Sequence, residues 1–160
     1  MTADCRDAVV RPMRAADLTE TLDMWVAGWQ AAYPDIDFEA RREWTRSRIA
    51  ELERSGSMSL IAVLKDRIVG AVVFDPHTGY LDQIIVATAW QGRGIAALLL
   101  AQARRAAPSG LDLHVNQDNA RAIRFYRKHG FIATGEDANP RSGAPVFRMS
   151  WRPANAATID

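Results

Sequence analysis

The order of hydrophobic patterns along the chain predicts a single α/β domain built on a mixed sheet. Short runs rich in Val, Ile and Leu alternate with stretches whose apolar residues fall at three- and four-residue spacing. The resulting order is strand, two helices, three strands, helix, strand, helix, two strands. No repeat or linker-like stretch interrupts it, so residues 1–160 are expected to form one domain. Hydrophobic residues make up 48% and charged residues 24%, a balance that excludes disordered and fibrous classes.

Residues 8–14 read as the first strand, and Pro12 places it at an edge or a break because proline has no N–H to donate. Asp17 is placed to cap a helix whose Leu18, Leu22, Trp25 and Trp29 share one face and which Pro34 ends. An arginine-rich helix is expected over residues 38–54, with Trp44, Ile49 and Leu52 as its apolar contacts. Residues 58–64 and 67–74 form a hairpin around the polar pair Lys65-Asp66. A turn at residues 75–79 leads to a strand over 80–87. Residues 94–107 carry Ile95, Leu98 and Leu99 on one helical face and end at Pro108-Ser109-Gly110, with Arg104 and Arg105 in the last turn. Residues 111–115 alternate as a strand. Asp118 or Asn119 starts a helix that Gly130 stops. Residues 131–134 and 144–151 are the closing strands around a polar loop.

Twenty basic and nineteen acidic residues give a net charge of +1, which carries no clear nucleic-acid signal. The longest apolar run, residues 95–101, is too short to span a bilayer, and the first six residues have no signal-peptide character. The expected compartment is therefore the cytoplasm. Cys5 is the only cysteine, so there is no internal disulfide or multi-cysteine zinc cluster, and no metal is expected.

The chemistry is concentrated between Leu81 and Phe131. A strand runs into Gln91-Gly92-Arg93-Gly94 and then into a helix. Such a turn aims backbone N–H groups and the positive end of a helix at one point, which makes an anion site. Gly92 and Gly94 lack side chains that would block a phosphate, and Arg93 can add charge. The third glycine of a dinucleotide fingerprint is replaced by Ala97, and the Gly-Lys-Ser/Thr of a P-loop is absent. A plain glycine turn stays open as the bland alternative.

Downstream, Asn119, Ala122, Tyr126, Gly130 and Phe131 follow as Asn-x-x-Ala-x-x-x-Tyr and Gly-Phe, while Gln91, Gly94 and Ala96 fit Gln/Arg-x-x-Gly-x-Gly/Ala. The two segments in this order resemble the GNAT superfamily of N-acetyltransferases. The resemblance implies a mixed, mostly antiparallel sheet splayed at its fourth and fifth strands and flanked by about four helices. It also implies acetyl-CoA as cosubstrate, with direct attack by an amine acceptor. On this reading the backbone of Ile84, Ile85 and Val86 pairs with the pantetheine arm, and an N–H near Val86 serves the developing oxyanion. Gln91, Gly92, Arg93, Gly94, Ile95, Ala96 and Ala97 hold the pyrophosphate. Asn119 bonds the pantetheine arm, and Tyr126 protonates the leaving thiolate. Read without the resemblance, Tyr126 is a core tyrosine.

The attacking amine must be neutral, so a general base is needed. His114 is the leading candidate, on the strand face opposite Leu111, Leu113 and Val115. The family members that acetylate protein N-termini carry glutamate at this place. The bland alternative is a hydrogen-bonded or exposed histidine. Asp82 is the second candidate, or a salt-bridged carboxylate. Trp29 and Tyr33 can face the acceptor, or simply extend the apolar stripe of their helix. His77 and His129 read as surface residues. The acceptor is a small-molecule or peptide amine, and a homodimer is compatible with the resemblance. The competing reading is a non-catalytic acyl-CoA-binding regulatory module on the same fold, with a nucleotide-dependent oxidoreductase behind it.

Overall fold

The computed structural model describes residues 4–154. Strands β1 (Val9–Pro12), β2 (Met58–Leu64), β3 (Arg67–Phe74) and β4 (Leu81–Val86) form one antiparallel sheet in that order. Strands β5 (Leu111–Asn116), β6 (Ile132–Ala138) and β7 (Pro145–Trp151) form a second, in the order β5-β7-β6. The sheets meet at one parallel bridge, Tyr80 with Asp112, where the Asp112 N–H donates to the Gly79 carbonyl at 2.9 Å. Beyond that point β4 and β5 separate. The expected splay between the fourth and fifth strands is therefore present.

Four helices flank the sheets: α1 (Leu18–Ala32), α2 (Arg42–Arg54), α3 (Ile95–Ala106) and α4 (Ala120–Lys128). Ile95, Leu99, Leu100 and Ala103 bury one side of α3 against Val69, Val72, Leu113 and Tyr126. Each fully buried Leu or Ile there contributes about 1.5–3 kcal/mol. Met24 of α1 packs with Ile61, Ile68, Ala71 and Ile85 on the other side of the first sheet. Helices α1 and α3 thus cover opposite faces of β3 and β4.

Several local expectations change. Strand β1 is shorter than residues 8–14 but lies at the sheet edge, as Pro12 requires. Helix α2 begins only at Arg42, after a 3-10 turn at Glu39–Arg41. Its buried positions are Thr45 and Ile49, which leaves Trp44 40% exposed beneath the Arg141 guanidinium rather than in the core. Strand β6 extends to Ala138, so part of the expected polar loop is strand. Among the described residues no helix is long and apolar enough to cross a membrane.

Asp17 stands at the N-cap of α1 but does not cap it through its side chain. Its carboxylate instead accepts from Arg11 at 2.7 and 3.0 Å and from the Arg14 N–H at 2.7 Å. These bonds, the Arg11 guanidinium first, hold its pKa down at about 2. The folded value lies below the unfolded one of about 3.9. The stabilisation is therefore complete above pH 4 and is lost as pH falls towards 2. Asp17→Ala is expected to flatten the acid side of the stability curve in that window, as read by urea unfolding at pH 2–5.

Candidate active site

The candidate site is the gap between β4 and β5. The Ala87 N–H donates to the Val69 carbonyl, which fixes the parity of β4 against β3. Neighbouring residues of a strand turn their backbone groups to opposite edges. Ile85 and Gln83 therefore face β3, whereas Ile84 and Val86 face the gap. This corrects the expectation for Ile85: its backbone serves the sheet, and its side chain packs towards α1. On β5, the Gln117 N–H bonded to the Pro145 carbonyl sets the same parity, so His114 turns its backbone towards the gap. The register between β3 and β4 slips between Val73 and Phe74, leaving Asp82 as the extra residue of a bulge.

At the end of β4 the chain makes a 3-10 turn (Thr88–Trp90) and enters the glycine turn. Gly92 and Gly94 have φ of +75° and +89°, a region that Cβ-bearing residues avoid. Gly94 is the N-cap of α3 and supplies no side chain, and the first helical bond comes from the Leu98 N–H. The N–H groups of Ile95, Ala96 and Ala97 are thus left for a ligand. The Arg93 guanidinium lies over the Trp90 ring, 5.2 Å from its centroid. Arg121, which the sequence reading passed over, hydrogen-bonds Gln91 Oε1 and reaches the open side of Gly92.

Helix α4 supplies the other wall. Asn119 caps it, its Oδ1 accepting from the Ala122 N–H at 3.2 Å, so only its Nδ2 donors are left for a ligand. Tyr126 is 6% exposed and lies edge-on to Phe125 and Phe131. Burial pushes its phenol well above the usual range, which keeps it protonated. His129 is half-buried against Phe125 rather than on the surface. His77 is exposed, as expected.

Polar groups cluster on the face of β5 that carries His114. Its Nδ1 lies 2.8 Å from the Tyr80 hydroxyl and its Nε2 lies 3.0 Å from Asp137 Oδ2. Arg148, paired with His114 across β5 and β7, reaches the same carboxylate at 2.9 Å. Asp82 is held by Arg48 of α2 at 3.1 Å, so the salt-bridged reading replaces that of a free base. Tyr33 spans from α1 to this side, donating to Asp118 at 2.8 Å and accepting from Asn116 Nδ2 at 3.3 Å. Trp29 is stacked between Tyr33 and Phe38, which makes it a packing residue. Among the described residues no group of His, Cys, Asp and Glu is disposed to hold a metal ion.

Residues 18–131, well over half of the chain, match the acetyltransferase (GNAT) family. The chain belongs to that family. The fold is that of the PaiA N-acetyltransferase from Thermoplasma acidophilum solved with coenzyme A, at a TM-score of 0.75 and 17% identity over 91% of this chain and 99% of that one. It is also that of apo YjaB from Escherichia coli, at a TM-score of 0.70 and 23% identity over 90% and 97% of the two chains. The peptidyl-lysine N-acetyltransferase YjaB of Salmonella typhimurium is 35% identical over 66 residues, which is 41% of this chain. The match spans 45% of that relative, a little under half its length.

The GNAT donor fits the residues present. Coenzyme A needs an extended edge for its pantetheine arm and an anion site for its diphosphate. The gap-facing backbone of Ile84 and Val86 and the open N–H groups of α3 are such features, one after the other on the chain. Arg121→Ala is expected to raise the Kd for coenzyme A about 10-fold, the value of one charge-assisted contact of about 1.4 kcal/mol. Calorimetric titration at low and high salt checks this, and the difference should shrink as salt rises.

Proposed function

We propose that the protein is an N-acetyltransferase that passes the acetyl group of acetyl-CoA directly to a primary amine in a ternary complex. The observation that carries this is strand β4, whose free edge leads through a 3-10 turn into a glycine turn and an uncapped helix start. An acyl-CoA joins an extended amide-bearing arm to a diphosphate, the two groups that such an edge and such a turn would hold.

The roles follow from the chemistry of each group. Ile84 and Val86 bind the extended arm as an added strand would. The Val86 N–H donates to the thioester oxygen and stabilises the negative charge that develops there. Gly92, Gly94 and the N–H groups of residues 95–97 hold the diphosphate, with Gln91, Arg93 and Arg121 around them. Asn119 donates to the arm through Nδ2. Tyr126, protonated and buried, gives its proton to the departing sulfur. His114 supplies the basic function on the acceptor side, and Tyr33 closes that side from α1.

A lysine-type amine costs roughly 4–5 kcal/mol to deprotonate at pH 7, so an acceptor of that kind needs the base. The activity named for the Salmonella relative makes a lysine side chain in a peptide the first acceptor to try. The test is thiol release from acetyl-CoA with single-lysine peptides, free peptide N-termini, polyamines and aminoglycosides, with mass spectrometry of the products. Release that depends on one acceptor, with that acceptor gaining one acetyl group, supports the proposal. Intersecting initial-velocity lines and no acetylated enzyme support the ternary complex. Tight coenzyme A binding with no turnover on any amine favours the regulatory module, and no affinity for coenzyme A removes the assignment.

A further inference from the structure

Resting on the acetyl-transfer reading, we propose that Tyr80 is the residue that takes the acceptor's proton, passing its own to His114, with Asp137 as a positioning residue. Both ring nitrogens of His114 are already engaged, Nδ1 with Tyr80 at 2.8 Å and Nε2 with Asp137 at 3.0 Å. A carboxylate only accepts, so in the neutral ring Nε2 carries the hydrogen and Nδ1 holds the lone pair. The Tyr80 hydroxyl therefore donates to Nδ1. An amine reaching His114 would have to displace one of these partners. The Tyr80 oxygen, by contrast, keeps a lone pair for an incoming N–H, and the whole cluster is accessible to solvent.

The step balances. The acceptor ammonium gives one proton to the Tyr80 oxygen while the Tyr80 hydroxyl proton moves to Nδ1. This leaves a neutral amine with its lone pair, an unchanged phenol and an imidazolium facing Asp137. The ring returns the proton to solvent after the product leaves. Burial, with the nearby Asp82 charge, pushes the Tyr80 phenol up, so it is present as the hydroxyl that a relay requires. Most other charges around the cluster come in pairs: Arg148 of β7 with Asp137 of β6, Arg48 of α2 with Asp82 of β4, and Arg152 with Asp112 of β5, while Asp118 accepts from the Tyr33 hydroxyl. None of these carboxylates is a free competing base. Tyr80 lies on the β4 side of the bridge between the sheets and His114 two residues beyond it on β5, so the relay starts where the gap opens.

Two measurements test the relay. The first needs no acceptor: nitrogen-15 NMR of the histidine rings, with His114 assigned by His114→Ala. It should show the Nε2–H tautomer at high pH, whereas an Nδ1–H tautomer overturns the direction of transfer. The second is kinetic, with the best acceptor from the panel. Tyr80→Phe is expected to lower kcat at least about 10-fold with unchanged Kd for coenzyme A and unchanged melting temperature. His114→Ala should do the same, and the double variant should be no slower than the worse single one. The acid limb of the kcat profile should flatten in Tyr80→Phe and move in Asp137→Asn. Wild-type kcat in Tyr80→Phe, or additive losses in the double variant, sinks the relay while leaving acetyl transfer standing. Absence of coenzyme A binding by the wild-type protein sinks the transfer reading itself, a separate readout.

Discussion

Gly79→Ala is expected to lower stability by roughly 3 kcal/mol and to weaken coenzyme A binding in the same variant. Two costs add. Gly79 has φ of +79°, where a Cβ costs about 1–2 kcal/mol. Its methyl would also meet backbone, not a side chain that can swing away. It would press on the Gly110 carbonyl oxygen far inside van der Waals range. Forced repacking of that kind costs about 1–3 kcal/mol. The melting temperature should fall by roughly 6–12 °C. Gly143→Ala is the control. It too has positive φ, +73°, but an added methyl there meets nothing within 4 Å. It should cost only about 1 kcal/mol. Equal melting temperatures for the two variants would mean that the Gly79–Gly110 approach carries no strain.

The functional half of that prediction follows from where Gly79 sits. Its carbonyl accepts the Asp112 N–H, and the next residue, Tyr80, makes the bridge that joins the two sheets. Past this point β4 and β5 share no ladder, and the Asp82 bulge adds twist that carries β4 away. Moving the backbone at residue 79 changes the angle of the gap and the distance from β4 to Asn119 and Tyr126. Reduced affinity for coenzyme A at a temperature well below melting is the sign that the hinge, not global unfolding, is responsible.

Much of this site was readable from the sequence because its chemistry is local. The turn before α3 needs glycines at fixed offsets, and Gln91, Gly92 and Gly94 fall within one short stretch of chain. The β2–β3 hairpin was readable for a similar reason. Two β-branched runs flank Lys65-Asp66, whose φ of 49° and 62° make the tight turn. What escaped depends on tertiary register. The direction of the Ile85 backbone is set by the bond from Ala87 to Val69 on the neighbouring strand, which no local pattern shows. Strand β6 is exposed at almost every position, so Ile132–Ala138 shows no alternation, and Asp137 was hidden in an apparent loop. Tyr80 looked like an ordinary first strand residue because its partner, His114, lies 34 positions downstream. Trp44 was expected among the apolar contacts of α2, whereas the inner face of that helix is set by Thr45 and Ile49.

Tyr126→Phe is expected to lower kcat on the order of 10²-fold near pH 7 with little change in Kd for coenzyme A. The variant keeps the ring that packs against Phe125 and Phe131, and the hydroxyl bonds no other described residue, so the fold loses little. On the proposed role, what disappears is a proton. Burial raises the phenol far above neutrality, so the wild-type residue is a proton donor at every working pH and its own ionisation leaves no limb on the rate profile. The leaving thiol has a reference pKa of about 8.5, however, and a more acidic thiol needs less help to depart. The ratio of wild-type to variant rates should therefore narrow for acetyl thioesters of more acidic thiols, whereas a packing defect would give a ratio independent of the leaving thiol. The same burial gives a stability signature of definite sign. The folded pKa lies above the unfolded one of about 10, so the contribution is complete below pH 10 and is lost at higher pH. Tyr126→Phe should remove that alkaline loss. A variant with wild-type rates at pH 7 would reduce Tyr126 to its ring and return the protonation of the sulfur to water.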